Sequence, residues 1–320
     1  MKYVKPALYA LAGFAFAASA SAQTVGIGST KAGAVAQITA TISKAVSEHA
    51  PGVQMRKQTM GGTQQYIPVI NAGELDYGIA NIAQYYMAVS GTGLSKPTKY
   101  KNLRLVTTMM EFTVGLLVPK NAGINKISDL RGRKVASGFK GAPLFANITA
   151  GALATDGLTY ADVKKVPIVG LVQHWRAMME GKIVTAIAAA GTAWPKRIDA
   201  KVSGGIKYLS FPNNAKSLAA MHKYFPKTKW STVKPRKGLT GVNRPVTLVT
   251  YDFMLFTHKG ASAATVYNVA KVMHQRAKQL KQGGPLWRSY RSTANLAKNH
   301  GLAYHPSAIK YYKEAGLWKR

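Results

Sequence analysis

Short apolar runs alternate with helical patterns along most of the chain. Residues 24–29 and 53–59 have the length and composition of buried strands, and between them apolar residues recur every three or four positions as far as His49. That spacing predicts an amphipathic helix. A second helical stretch ends at Gly73, and Tyr77–Asn81 is the next predicted strand. Strands that alternate with helices in this way indicate the α/β class.

The same alternation continues to the end of the chain. Further strands are predicted at residues 103–109, 112–119, 134–137, 183–190, 208–211 and 246–257. Further helices are predicted at residues 82–89, 144–153, 171–181, 215–225 and 264–280, and a short helix with Gly316 at its end closes the chain. Residues 227–244 are basic, turn-rich and without a period, so they carry no prediction.

The order of these elements predicts two domains. The strand at residues 246–257 follows a complete second set of strands and helices, which indicates that the chain returns there to its first sheet. We therefore expect a first α/β domain built from residues 23–110 and 247–320 and a second built from residues 111–246. This division predicts that the two sets of strands form separate sheets.

A small-residue loop, Gly61-Gly62-Thr63, joins the second predicted strand to its helix. Ligands of open α/β sheets bind beyond the carboxyl ends of the strands, and amides at a helix start suit a carboxylate. Thr63 is expected to cap this helix with its hydroxyl. Pro68 removes a backbone donor, which predicts that the helix starts near Gln65 and leaves the loop amides free. The alternative is a plain tight turn.

Similar loops end other predicted strands. Ser29 and Thr30 end the first strand, a Gly-rich loop at residues 138–143 ends a later one, and Gly191-Thr192 ends the strand before Trp194. Loops on neighbouring strands converge on one crevice, which favours a ligand site over isolated turns. Trp194 is expected to reach that cleft and fix the plane of a ligand, the alternative being a core tryptophan.

Residues 1–22 have the pattern of a secretory signal peptide. Lys2 and Lys5 form a charged start, residues 7–18 form an apolar core too short to span a bilayer, and Ala20-Ser21-Ala22 fits the cleavage pattern. The alternative, a short buried helix, would carry polar positions at helical spacing, and this segment has none. Cleavage after Ala22 is therefore expected, with export to the periplasm.

Composition narrows the class of protein. Residues 23–320 suffice for two domains with substantial cores, and 47% of the chain is hydrophobic. Because the chain has no cysteine, disulfides, thiolate metal sites and cysteine nucleophiles are excluded. The longest later apolar run, residues 183–194, is about half the length of a membrane-spanning helix.

The charge is strongly positive, with 44 Lys and Arg against 11 Asp and Glu and a formal net charge of +33. Such an excess attracts anions, including nucleic acid. No zinc finger, RNP pattern or basic heptad is present, and the cations are scattered, so we expect no nucleic-acid partner. We interpret the charge as a surface adaptation with a bias towards anionic ligands.

Sequence signatures of catalysis are missing. The chain has no G-x-S-x-G motif, its seven histidines show no H-E-x-x-H spacing, and Gly26-x-Gly28 lacks the rest of a dinucleotide fingerprint. We therefore expect a binding protein without a cofactor or metal rather than an enzyme.

Several long motifs resemble one family in both content and order. LAYHPSAIKYYKEAG at the end of the chain, VTYDFMLFTHKGASAATVYNVAKVM before it, TMGGTQQYIPVINAGELDYGIAN and ISDLRGRKVASGFKGAP are similar to segments of the TAXI solute receptors. Those receptors serve one branch of the tripartite ATP-independent periplasmic (TRAP) transporters. The resemblance implies a two-domain periplasmic binding protein fold with two hinge segments, and a monomer that closes on a small organic anion. It also implies that integral membrane transporter subunits are the partners.

The chain departs from the family pattern in two loops. In the first, where the family usually has a glycine pair followed by a tyrosine pair, Lys31-Ala32 precede Gly33-Ala34-Val35. In the other, Gly141-Ala142-Pro143-Leu144 stands where the family usually has Gly-Ser-Gly-Thr, so two hydroxyl donors are missing and Lys140 or an indole such as Trp194 is expected to take over part of the recognition. An alternative role with the same cleft is that of a periplasmic ligand-binding partner of a sensory kinase. The candidate ligand-binding residues are Ser29, Thr30, Gly61, Gly62, Thr63, Gln64, Asn81, Lys140, Gly141, Ala142, Gly191, Thr192 and Trp194.

Overall fold

The computed structural model describes residues 22–319. The predicted signal peptide therefore lies outside the described residues, apart from Ala22. Within this range the strands are β1 Gln23–Thr30, β2 Val53–Met60, β3 Tyr77–Asn81, β4 Leu103–Pro119, β5 Lys134–Gly138, β6 Lys164–Ile168, β7 Ala186–Ala189, β8 Ile206–Tyr208, β9 Lys229–Val233 and β10 Val246–His258.

The same range holds ten α-helices and four short 3-10 helices. The α-helices are α1 Ala34–His49, α2 Thr63–Ala72, α3 Ile82–Ser90, α4 Pro143–Ala154, α5 Leu171–Met179, α6 Ala193–Asp199, α7 Ala215–His222, α8 Ala263–Gln275, α9 Ala277–Gln282 and α10 Pro306–Glu314. The 3-10 helices are Gly93–Ser95, Ile127–Leu130, Tyr160–Asp162 and Pro285–Ser289.

Two long antiparallel strands, β4 and β10, connect two α/β halves. The first half has the strand order β2-β1-β3-β10-β4, in which β1 is parallel to β2 and β3. In the second half β9 pairs with β10, and β7 and β8 pair with β4. β5 and β6 form a separate parallel pair. The expectation of two separate sheets is therefore wrong, because β4 and β10 carry one hydrogen-bonded ladder through both halves.

The crossing is visible in the register of β10. Its first residues pair with β9, from Val246 to Thr250, and its last residues pair with β3, from Phe253 to Thr257. Between these stretches the ladder with β4 shifts register, between Asp252 and Met254. The domain boundaries given above remain a prediction, but the change of partners places the crossing of β10 near this shift.

The predicted elements agree best with the structure where the segment is strongly apolar. The strands predicted at residues 24–29, 53–59, 77–81 and 246–257 are confirmed within two residues. The two apolar runs at 103–109 and 112–119 are one strand, because the polar residue between them, Glu111, lies opposite Asp252 and continues the ladder.

Other predictions fail at the edges of the sheets. The sequence analysis predicted no strand at β6, because only Ile168 of its five residues is buried and the segment lacks a strong apolar pattern. β9 lies inside the stretch that carried no prediction, and the strand predicted at 208–211 is found at Ile206–Tyr208. The helix predicted at 264–280 is divided at Arg276 into α8 and α9.

Two glycines of β1 serve packing. A Cβ atom at Gly28 would lie 2.6 Å from Cγ of Tyr66, and one at Gly26 would lie 2.6 Å from Cδ1 of Leu75. Tyr66 is fully buried, so α2 approaches β1 closely only because a side chain is missing there. The Gly-x-Gly pair is thus explained by close packing, of Gly28 against α2 and of Gly26 against Leu75 after that helix.

Candidate functional site

The first predicted loop ends at the start of α2, with Gly62 in an extended conformation as the residue before the helix. The helix begins at Thr63, so the predicted start near Gln65 is wrong, and no side chain caps it. Pro68 lies in the second turn of this helix, just after Tyr66 and Ile67, which are fully buried against the rest of the first half. Gly73 ends the helix in the left-handed conformation, as predicted.

The Thr63 hydroxyl has a different role from the predicted cap. It lies 3.0 Å from the Tyr66 hydroxyl, which in turn donates a hydrogen bond to the Ile79 carbonyl. Because the hydroxyl proton of Tyr66 is donated to the Ile79 carbonyl, the Thr63 hydroxyl is the donor to the Tyr66 oxygen. In this conformation the Tyr66 hydroxyl links α2 to β3, and only the oxygen lone pairs of Thr63 remain for another group.

The loop nevertheless offers free hydrogen-bond donors. The Gly61 amide donates to Oε1 of Gln65 at 2.7 Å, but the first amides of a helix have no partner within it. Within residues 22–319, the buried Nε2 atom of Gln64 has no hydrogen-bond partner. A buried amide donor without a partner costs free energy, so it marks a place where an acceptor would bind favourably.

The second predicted loop follows β5, and its backbone is already bonded. The Gly141 amide donates to the Val169 carbonyl at 2.9 Å, and the Ala142 amide donates to the Phe139 carbonyl at 2.8 Å. Lys140, which precedes Gly141, is exposed. Within the described part of the chain, it forms no ion pair. Lys140 is therefore the group of this loop that is available to an anion.

A buried histidine supports this second loop. The ring of His174, on α5, packs edge-on against Phe139 with the ring centroids 5.1 Å apart. Burial lowers the pKa of His174 to about 4, partly offset by a hydrogen bond to the backbone of Thr185. The imidazole is therefore neutral at neutral pH.

The two loops meet across the two halves. A Cβ atom built on Gly62 would lie 3.9 Å from the carbonyl oxygen of Gly141, which is ordinary van der Waals distance. A second contact between the halves places Nζ of Lys227 4.9 Å from the centre of the Tyr86 ring. The structure thus brings together the two loops that the sequence analysis singled out separately.

Three other predicted site residues are engaged in local contacts. The Ser29 hydroxyl is 2.6 Å from that of Thr39, and the Thr30 hydroxyl donates to the Ala32 carbonyl at 2.9 Å. Asn81 caps α3 by accepting from the Gln84 amide at 2.9 Å. Their side chains organise the ends of β1 and β3 beside the loops.

The third predicted loop lies at the end of β7. Gly191 has the positive φ of 81° that a turn requires, and the Thr192 hydroxyl donates to the Ala189 carbonyl at 2.9 Å. Trp194 is half-buried, with its ring stacked on Trp175 at 4.1 Å between centroids and Arg197 5.2 Å from its centre. The indole is thus packed on the core of the second half.

The structure also contains a cluster of charged side chains at the crossing of β4 and β10, which was not predicted from the sequence. Nζ of Lys298 lies 2.7 Å from Oδ2 of Asp252 and 3.8 Å from Oε1 of Glu111, and Lys229 on β9 also pairs with Glu111. Glu111 and Asp252 are opposite each other in the ladder. The available signal was an acidic residue within each of two long apolar strands, in a chain with 11 acidic residues.

Two surface cavities, of about 300 Å³ and about 290 Å³, lie in the first half and away from the loops. The larger lies beside α3 and the start of β4, and the other lies between α8 and α10. Neither contains a predicted site residue. In residues 22–319, no cluster of His, Asp and Glu side chains is suited to a metal ion, and none of the helices has the length and hydrophobicity to cross a membrane.

Comparison with known proteins identifies the family and the fold. The model of the NMT1-like family matches residues 28–316. The chain belongs to the NMT1-like family. Its fold is the two-domain α/β fold of periplasmic binding proteins, as expected.

Three solved structures illustrate the similarity of this NMT1-like chain to that fold. PhnD1 from Prochlorococcus marinus in complex with methylphosphonate is 10% identical, with a TM-score of 0.58 over 92% of this chain and 98% of that chain. A Xanthomonas citri protein bound to ATP is 11% identical, with a TM-score of 0.51 over 92% and 96%. The aliphatic sulphonate binding protein SsuA from Escherichia coli is 16% identical, with a TM-score of 0.49 over 93% and 94%.

Proposed function

We propose that this chain is an extracytoplasmic solute-binding receptor that captures a small organic anion, a carboxylate or an amino acid, between its two halves. The ligand is then delivered to the membrane subunits of a TRAP-type transporter. The leader pattern of residues 1–22, the family and the fold support this proposal.

The observation that carries the proposal is the meeting of the loops at Gly62 and Gly141. Each loop follows a strand and precedes a helix, α2 or α4, and the positive end of a helix dipole favours an anion. The loop of the first half adds the unpartnered Nε2 of Gln64, and the loop of the second half adds the ammonium of Lys140. Donors supplied by both halves suit an anion that draws the halves together.

The ligands in the two more similar structures support an anionic ligand. Methylphosphonate and ATP are both anions, and both are held by proteins of this fold. The TRAP assignment rests on the motif resemblance, above all on the segment that includes Gly61-Gly62-Thr63 and on the closing LAYHPSAIKYYKEAG.

The test is a thermal-shift screen of organic acids and amino acids, followed by titration calorimetry of the best ligand on variants. Lys140→Ala and Gln64→Ala should each weaken binding by about 1.5–3 kcal/mol, roughly tenfold to a hundredfold, because each removes a charge-assisted or buried hydrogen bond. Thr63→Ala tests the hydroxyl contact predicted from the sequence; because that hydroxyl already donates to Tyr66, near-wild-type affinity is expected of this variant.

The matched control is Lys216→Ala, which removes an exposed lysine of the same half. It should change the binding free energy by only a few tenths of a kcal/mol, through the general field. Near-wild-type affinity of the Lys140 and Gln64 variants would place the anion elsewhere, at Ser29 and Thr30.

A further inference from the structure

The acidic side chains of this chain are kept away from the two loops. All 11 lie within the described residues. Eight of them stand in the last turn of a helix or in the connection that precedes a strand, at the amino ends of the strands and thus opposite the loops. These eight are Glu48, Glu74, Asp76, Asp129, Asp156, Asp162, Glu180 and Asp199.

Most of these carboxylates already have structural partners. Asp76 accepts from the Gly26 amide at 2.7 Å, Asp156 from the Ser128 amide at 2.8 Å, and Asp199 from the Ile206 amide at 2.8 Å. Asp129 and Asp162 accept amides of their own turns, and these bonds hold the pKa of both carboxyls below the usual value. Glu48 and Glu180 face lysines.

The last of the eight, Glu74, and a ninth acid, Glu314, also lie away from the loops. Glu74 is exposed at the far end of α2, about 15 Å from Gly62 for a helix of this length. Glu314, at the end of α10, accepts a hydrogen bond from the hydroxyl of Tyr267 on α8.

The other two acids, Glu111 and Asp252, lie at the crossing of β4 and β10, where their charge is matched. Lys229 and Lys298 pair with them, so the two lysines balance the two anions, and Nε2 of His300 also lies 3.9 Å from Oδ2 of Asp252. Asp252 keeps one buried oxygen, Oδ1, without a hydrogen-bond partner in residues 22–319. A further ammonium at that oxygen would leave the cluster with a net positive charge close to Lys298, which disfavours it.

On the basis of the function proposed above, we infer that the ligand is an organic acid that carries no ammonium group. An ammonium taken from water into the cleft loses several kcal/mol of solvation unless a carboxylate compensates it. The loops offer hydrogen-bond donors and no carboxylate, since Gln64 and Lys140 are both donors. The carboxylates of residues 22–319 lie at the crossing of β4 and β10 or away from the loops. The net charge of +33 adds a field that favours anions over zwitterions.

The test uses pairs of ligands that differ only in the amino group. Succinate is compared with aspartate, glutarate with glutamate, propionate with alanine, and 3-phenylpropionate with phenylalanine. Ethanesulfonate and ethylphosphonate distinguish the sulfonate and phosphonate head groups from the carboxylate of propionate. Each compound is added to the mature chain in a thermal-shift assay at neutral pH and low salt, and those that raise Tm are titrated by calorimetry.

We expect the acid without the amino group to bind at least about tenfold more tightly than its amino partner in every pair that binds, which corresponds to 1.4 kcal/mol or more. An amino acid that binds as tightly as its deaminated partner would overturn the inference and leave the proposed function standing. Failure of every acid in the panel, with and without an amino group, would instead overturn the proposed function, and the inference with it.

A pair of variants tests the same electrostatics from the protein side. Gln64→Glu places a carboxylate among the donors, and Gln64→Met removes the donor without adding charge. The Glu variant should bind the deaminated acid at least about tenfold more weakly than the Met variant, because like charges at close range repel. Equal affinities of the two variants would show that the anion does not lie beside residue 64.

Discussion

His174 makes the stability of the second half depend on pH in a way that can be calculated. The side chain is 1% exposed, its Nδ1 atom has no partner in residues 22–319, and burial lowers its pKa to about 4 from an ordinary value of 6.5. In the unfolded chain the ring takes up a proton near pH 6.5, whereas in the folded chain it does so only near pH 4. Between these values the unfolded state binds more protons, so stability falls as the pH falls.

The size of the effect follows from the difference between the two pKa values. Each unit is worth about 1.4 kcal/mol, so the loss is about 2 kcal/mol at pH 5 and levels off near 3 kcal/mol below pH 4. At pH 7 the loss is close to zero because the ring is neutral in both states. The neutral ring thus contributes no penalty above about pH 6.5.

Urea unfolding of the wild type and of His174→Gln at pH 7 and pH 5 measures this quantity. The variant should lose about 2 kcal/mol less stability than the wild type between the two pH values, whatever its stability at pH 7. Val172→Ala, on the same helix, is the control for a general weakening of α5 and should keep the wild-type pH dependence. Equal losses in the wild type and His174→Gln, within about 0.5 kcal/mol, would show that His174 is not buried as a neutral ring.

Two glycine substitutions test the packing of the first half by urea unfolding. Gly28→Ala should cost about 1–3 kcal/mol, because its Cβ would lie 2.6 Å from a ring carbon of the fully buried Tyr66. Gly73→Ala should cost about 1 kcal/mol, because its φ of 85° suits glycine alone. Gly170→Ala is the control and should be near neutral, because no atom lies within 4 Å of its Cβ and its φ of −155° suits any residue. Costs at Gly28 or Gly73 no larger than at Gly170 would contradict these reasons.

The sequence predicted the elements that are strongly buried, on both faces or on one. β1, β3 and α1 carry continuous or periodic apolar residues, and their bounds follow from that pattern. β6 and β9 lie at sheet edges with few buried positions, so hydrophobicity could not find them. Their formation depends on backbone pairing with β5 and β10, which is a property of the tertiary structure.

The loops of the candidate site were predictable, but the roles of their side chains were not. Gly61-Gly62 and Gly141 were found because small residues after a strand mark a place where backbone approaches something closely. Whether a hydroxyl can donate to a ligand depends on residues far away in the sequence. Thr63 donates to Tyr66 because the hydroxyl proton of Tyr66 is already donated to the Ile79 carbonyl. The packing of Trp194 on Trp175 likewise joins residues far apart in sequence.

If the halves close on a ligand by turning about β4 and β10, as the proposed function implies, the charges at the crossing of these strands would change their distances least. A rotation of the halves about these strands moves an atom in proportion to its distance from the axis, so the contact of Gly62 with Gly141 responds far more than the pairing of Asp252 with Lys298. The register shift between Asp252 and Met254 gives β10 a place to twist without losing its ladder on either side. The continuous sheet is therefore compatible with closure, because its two halves share only the two strands about which they would turn.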